Sequence, residues 1–115
     1  MTSAQTLTAF AGLIDARDWD GLAELLSPDF TAHFVHTGET FDRDGFVTLN
    51  RDYPIVVRFE VEDLVATGDR AVLRSRVSSE TETWFVASFA TITEGLIAEL
   101  VEVWADVSPT VRGES

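Results

Sequence analysis

The hydrophobic period of this chain changes once, near residue 55, and that change restricts its fold more than any other feature. Before it, apolar residues recur every three to four positions. After it, they recur every two. Val57, Phe59 and Val61 alternate with Arg58, Glu60 and Glu62, the pattern of a strand buried on one face. Thr67-Gly68-Asp69 reads as a turn, and Ala71, Leu73 and Val77 then alternate with Arg74 and Arg76. From Thr83 to Ile92 both parities are apolar, as in a strand covered on both faces. Trp84 and Val86 are then candidates for a face covered by a second copy of the chain. Glu94-Gly95 makes another turn, and Leu96 to Val107 is the last strand. The tail from about Ser108 is expected to fray.

The first half reads as helices around one strand. Thr2 and Gln5 have the spacing of a capping box. Leu7, Phe10, Leu13 and Ile14 follow as one apolar stripe, which predicts a helix over about 4–17. Asp18 can cap a short second helix carrying Leu22, Leu25 and Leu26, and Pro28 should stop it. Phe30 to His36 reads as a strand. Asp42 is a plausible cap for a third helix with Phe46, Leu49 and Tyr53, ended by Pro54. The expected order is therefore ααβαββββ. Helices then strands argue an α+β fold, with N-terminal helices packed on a curved antiparallel sheet. The 115 residues, 45% of them hydrophobic, suffice for one domain spanning 1–115 with its own core.

Charge and composition remove several function classes. The net charge of −12 repels phosphate backbones and anionic membrane surfaces, so neither nucleic acid nor membrane is an expected partner. There are no cysteines, hence no disulfide, thiolate metal site or cysteine nucleophile. That fits a cytoplasmic protein. The start, MTSAQTLTAF, lacks the basic and apolar regions of a signal peptide, and no apolar run approaches the ~20 residues of a membrane span.

The element order, with RDWDGLAELLSPDF, the turn TEGLIAEL and the closing VEVWADV, resembles the nuclear transport factor two-like superfamily. Within it the chain is similar to the SnoaL-like proteins of actinobacterial type. The resemblance implies a cystatin-like cone, a curved sheet wrapped around helices with a pocket inside. It implies no single reaction, because the superfamily includes isomerases, polyketide cyclases, epoxide hydrolases and dehydratases. Its steroid isomerases use a helical tyrosine and a protonated aspartate as an oxyanion hole, with a second aspartate as base. Anchored on ARDWDGL and TEGLI, those positions fall on Phe10, Ala87 and Phe34, respectively. None carries the needed group, so the isomerase mechanism is not expected. The Asp-Arg-Asp arrangement of the limonene-type epoxide hydrolases is not placed on these residues either.

The resemblance puts Ala98, Leu100, Glu102 and Trp104 of the last strand inside the cone. Glu102 would then lie among apolar groups, where desolvation raises a carboxyl pKa and suits it to acid or base chemistry. His33 and His36 are the only histidines, and their spacing points them to opposite faces of a strand. His36 shares the parity of Phe34 and is the pocket candidate. His33 is left for the local turn or dimer packing. Glu102 and His36 are thus the candidate proton carriers. Phe10, Trp19, Phe34, Ala87, Phe89, Leu100 and Trp104 are the candidate lining for a flat, apolar ligand. Arg58, Arg74 and Arg76 read as a solvated face paired with Glu60 and Glu62. No metal-ligand spacing and no cofactor motif occurs.

The leading expectation is a protein that binds a small apolar molecule in an internal pocket. One alternative is an enzyme of cyclase, isomerase or hydrolase type. It would act on a polyketide-like or terpenoid-like compound by general acid/base catalysis. The other is a non-catalytic interaction domain that dimerises and fills its pocket with its own side chains. The expected assembly is a homodimer through the outer sheet face.

Overall fold

A computed structural model of the chain describes residues 1–106. The expected end of the last strand at Val107 and the tail from 108 lie outside the described residues. The helix α1 spans Ser3–Ala16 and α2 spans Trp19–Leu25. The first strand, β1, spans Leu26–Phe34, and a three-residue strand, β2, spans Thr40–Asp42. Helix α3 spans Arg43–Arg51. Strands β3 (Arg58–Thr67), β4 (Arg70–Ser78), β5 (Thr83–Thr93) and β6 (Leu96–Asp106) complete the fold.

The helix starts are set by local chemistry. The Gln5 amide donates to Thr2 Oγ1 at 3.1 Å while the Thr2 amide donates to Gln5 Oε1 at 2.9 Å, a complete capping box. Asp18 Oδ1 caps α2 by accepting from the Gly21 amide at 3.0 Å, and Asp42 Oδ1 caps α3 from the Gly45 amide at 2.7 Å. Arg17 ends α1 in the left-handed conformation (φ 58), turning the chain into α2.

The sheet order is β2-β1-β6-β5-β4-β3. Strands β3 to β6 form the antiparallel meander that the period-two pattern predicts. Two features differ from expectation. First, β1 pairs with β6 in parallel, so the sheet is mixed, not wholly antiparallel. Second, β2 adds an edge strand beside β1. Thr40–Asp42 was too short to read as a strand and sits between turn and helix-cap residues.

The helices cover one sheet face. Leu7, Phe10, Ala11 and Ile14 of α1 are buried there with Phe46 of α3 and Phe30 and Ala32 of β1. Burial of each large apolar side chain contributes roughly 1.5–3 kcal/mol. Phe10 stacks on Phe46 at 6.2 Å and meets Phe59 edge-on at 6.5 Å, and Phe46 packs on Phe30 at 5.4 Å. Asp15 near the end of α1 ties it to the edge strand, accepting from the Phe59 amide at 2.8 Å.

Strand β5 corrects an expected orientation. Its inward positions are Trp84, Val86, Ser88, Ala90 and Ile92; Phe85, Ala87 and Phe89 face outward. Trp84 and Val86 therefore do not lie on the outer face. With both parities apolar, periodicity alone could not choose between them. In β6 a register irregularity opposite Thr91 and Ile92 makes Ala98 the extra residue. Ile97, Leu100 and Glu102 are buried, while Ala98 is not. Strict alternation thus holds only from Leu100 onward.

Candidate functional site

Beyond the aromatic core, the open end of the curved sheet encloses a cavity of about 460 Å³. Its walls come from five places. The end of α1 and the start of α2 give Ile14, Arg17 and Trp19. The end of β1 and the turn after it give Phe34, His36 and Glu39. Helix α3 and the segment following it give Leu49, Asn50, Tyr53, Ile55 and Val57. Phe59 and Val77 form part of the floor. Trp84, Glu102, Trp104, Ala105 and Asp106 complete the sheet side.

Glu102 is the buried charged group of this site, with 3% of its surface exposed. It occupies one row of the inner sheet face, with Phe34 opposite it on β1 and Ser88 opposite it on β5. Ser88 Oγ donates to its Oε2 at 3.1 Å, and Trp104 Nε1 donates to its Oε1 at 3.0 Å. Among the described residues it forms no ion pair. Burial pushes its carboxyl pKa up to about 7; the hydrogen bonds from Trp104 and Ser88 only partly oppose this. A carboxyl poised there can give or take a proton at neutral pH.

His36 lies in the turn after β1, exposed at the cavity mouth, with its ring 5.8 Å from Phe34. His33 is exposed on the opposite face of β1. Arg17 also reaches the mouth, its guanidinium 5.4 Å over the Trp19 ring.

The cavity therefore brings together Glu102, His36, Trp19, Phe34 and Trp104 from the sequence-predicted set. Four others are corrected. Phe10 and Leu100 are fully buried in the core and do not line the cavity; Phe10 packs against Phe46 and Phe59 instead. Ala87 and Phe89 sit on the outer sheet face, one residue out of phase with the inner row. The inward residue beside Ala87 is Ser88. Sequence reasoning missed Trp84, Ser88, Arg17, Asn50 and Tyr53. Ser88 was a small polar residue in the middle of a largely apolar strand, and that was an available signal. Arg17 carried none, since a helix-end arginine is ordinarily solvated. Arg74 pairs with Glu62 at 2.7 Å, as expected of a solvated face.

The profile of the SnoaL-like domain family matches residues 7–100, and the chain belongs to that family. Solved structures share the fold at low identity. A candidate ketosteroid isomerase from Kribbella flavida superposes with a TM-score of 0.88 at 20% identity, covering 98% of this chain and 84% of that one. IdmH, a candidate polyketide cyclase from Streptomyces antibioticus, gives 0.81 at 19% identity, covering 90% and 92%. A limonene-epoxide-hydrolase-like epoxide hydrolase from Mycobacterium tuberculosis gives 0.76 at 14% identity, covering 90% and 82%. No curated protein sequence matches the chain significantly. These likenesses establish the nuclear transport factor two-like fold.

Proposed function

We propose that this chain binds a small, largely apolar molecule in the cavity between its helices and sheet. The observation that carries this reading is the cavity itself. Its volume of about 460 Å³ falls within the ~300–1,000 Å³ of small-molecule sites. Its wall is mostly aromatic and aliphatic, with Glu102 as a single buried charged group. A domain that fills its pocket with its own side chains would leave no such space, which disfavours the pure interaction reading. The test is incubation of the purified protein with cell extract, followed by native mass spectrometry. A retained small molecule is expected for wild type and not for Val57→Trp, which fills the cavity. Equal retention by both would sink the reading.

A second reading, catalysis, is favoured by one specific observation. Glu102 combines burial, defined hydrogen bonds and a pKa raised to about 7, in a cavity that His36 also lines. Such a group suits proton transfer to a polyketide-like or terpenoid-like compound, and fold relatives are named as a candidate ketosteroid isomerase, a candidate polyketide cyclase and an epoxide hydrolase. Conversion of the retained compound should then fall at least ~100-fold in Glu102→Gln. Retention without conversion leaves binding alone.

The cysteine-free sequence supports a cytoplasmic setting, and no described helix is long and apolar enough to cross a membrane. An apolar row on the otherwise polar outer sheet face supports a homodimer. One cross-sheet row there runs through Val101, Phe89, Val72 and Val65.

A further inference from the structure

Glu102 is unusual for a buried acid. Such groups normally meet a cationic side chain or a metal, because an unpaired buried charge is costly. Here both hydrogen-bond donors, Ser88 and Trp104, are neutral. An ionised carboxylate offers about four acceptor sites, so roughly two stay unused. Glu102 also lines the cavity. The same cavity is lined by the rings of Trp19, Trp84, Trp104, Phe34 and Tyr53. Aromatic faces attract cations, most strongly where water is excluded.

Among the described residues, the other charged and titratable groups lining the cavity are Arg17, His36, Glu39, Tyr53 and Asp106. Arg17 is the fixed cation among them, and its guanidinium lies over Trp19. Glu39 and Asp106 outnumber it, and the whole chain carries −12. The field at the opening therefore favours a cation over an anion.

We propose that the cavity takes a hydrophobic amine as its protonated cation, the ammonium group on the Glu102 carboxylate and the apolar body against the tryptophans and Phe34. The inference rests on the small-molecule reading above and adds the ligand's charge. The physical gain is specific. Folding has already stripped water from this carboxylate, so an arriving ammonium supplies the missing partner without repeating that cost. A neutral alcohol could only hydrogen-bond to it, and a ketone has no donor to offer it.

The test is calorimetric binding of a matched pair, naphthylmethylamine and naphthylmethanol. It is run at about pH 8, above the Glu102 pKa and below the ~10 of an alkylamine. The amine should bind wild type at least tenfold more tightly than the alcohol, and Glu102→Gln should abolish that preference. Equal binding of the two overturns the inference and leaves the pocket reading standing. Binding of neither overturns both. A preference that survives in Glu102→Gln also overturns it, since the mouth carboxylates would then be responsible. A second readout needs no variant. Burial raises the Glu102 pKa to about 7, so amine binding at pH 7 should release protons from it, and alcohol binding none. Absence of proton release with the amine overturns the inference whether or not the variant folds.

Discussion

Trp104 Nε1 donates a 3.0 Å hydrogen bond to Oε1 of Glu102, two residues earlier on the same strand. Residues two apart share a face of the sheet, which lets the indole fold back over the carboxylate. Ser88, directly opposite Glu102 across the β5–β6 ladder, holds the other oxygen. The carboxyl group is therefore oriented by its own sheet, without a cation. A one-residue slip in register would turn Ser88 to the other face and break the arrangement.

Stability should fall as pH rises toward neutrality. The Glu102 pKa is raised in the folded chain from 4.5 to about 7, so the native state holds a proton that the unfolded state has lost. Its favourable contribution is complete below the unfolded pKa and disappears as pH passes through about 7. The expected loss is on the order of 3 kcal/mol. Urea unfolding at about pH 5 and about pH 8 measures it. Glu102→Gln should lack this component and be the more stable protein at the higher pH. An identical pH dependence in both proteins would contradict the desolvation account.

Trp104→Phe keeps an aromatic ring and removes the indole N–H. The hydrogen bond it deletes favours the ionised carboxyl, so the Glu102 pKa should rise further, by roughly one unit. Carbon-13 NMR titration of the labelled carboxyl reads the change. A merely space-filling Trp104 would leave that titration unmoved.

Much of this fold is legible in the sequence, and the exceptions have physical causes. The caps at Thr2, Asp18 and Asp42 act through adjacent residues, so their signal is local. The alternation of β3 and β4 is clear because one face is polar. The pairing of β1 with β6 joins residues about seventy positions apart, and no local pattern records it. The parity of β5 was ambiguous because Phe85 and Phe89 are as apolar as Trp84 and Val86. Counting back from the TEGLI turn placed Ala87, and the ambiguous parity offered no check on it or on Phe89. Glu102 and Trp104 were found because they share a parity downstream of the bulge. Phe10 and Leu100 were placed inside correctly, but being inside differs from lining the opening.

Two glycines in the N-terminal helices should respond oppositely to alanine. Gly12 lies on the exposed side of α1, and a Cβ there meets nothing within 4 Å. Gly12→Ala should stabilise by about 0.5–1 kcal/mol through helix propensity. At Gly21 a Cβ would lie 2.6 Å from Asp18 Oδ2 and 2.8 Å from Leu13 Cδ2. Gly21→Ala should displace the capping carboxylate and cost about 1 kcal/mol or more. Thermal melts of the two variants, several degrees to either side of wild type, would bear this out. Stabilisation by both would show that the Asp18 cap yields freely.

The outer sheet face supplies the last prediction. Phe89 is 36% exposed, Val103 41% and Val65 65%, and Val101 and Val72 share a row with Phe89 and Val65. Contiguous apolar surface of this kind is unusual on a monomer, and a second copy is a natural cover for it. Sedimentation velocity should find a dimer. Phe89→Asp places a charge at the middle of the row and should convert it to a folded monomer, with unchanged far-ultraviolet circular dichroism. The inner face does not contain Phe89, so the Glu102 titration should persist in that monomer. A wild type that sediments as a monomer at all concentrations would refute the assembly. Loss of the titration in the Phe89→Asp monomer would instead mean that the two sheet faces are coupled.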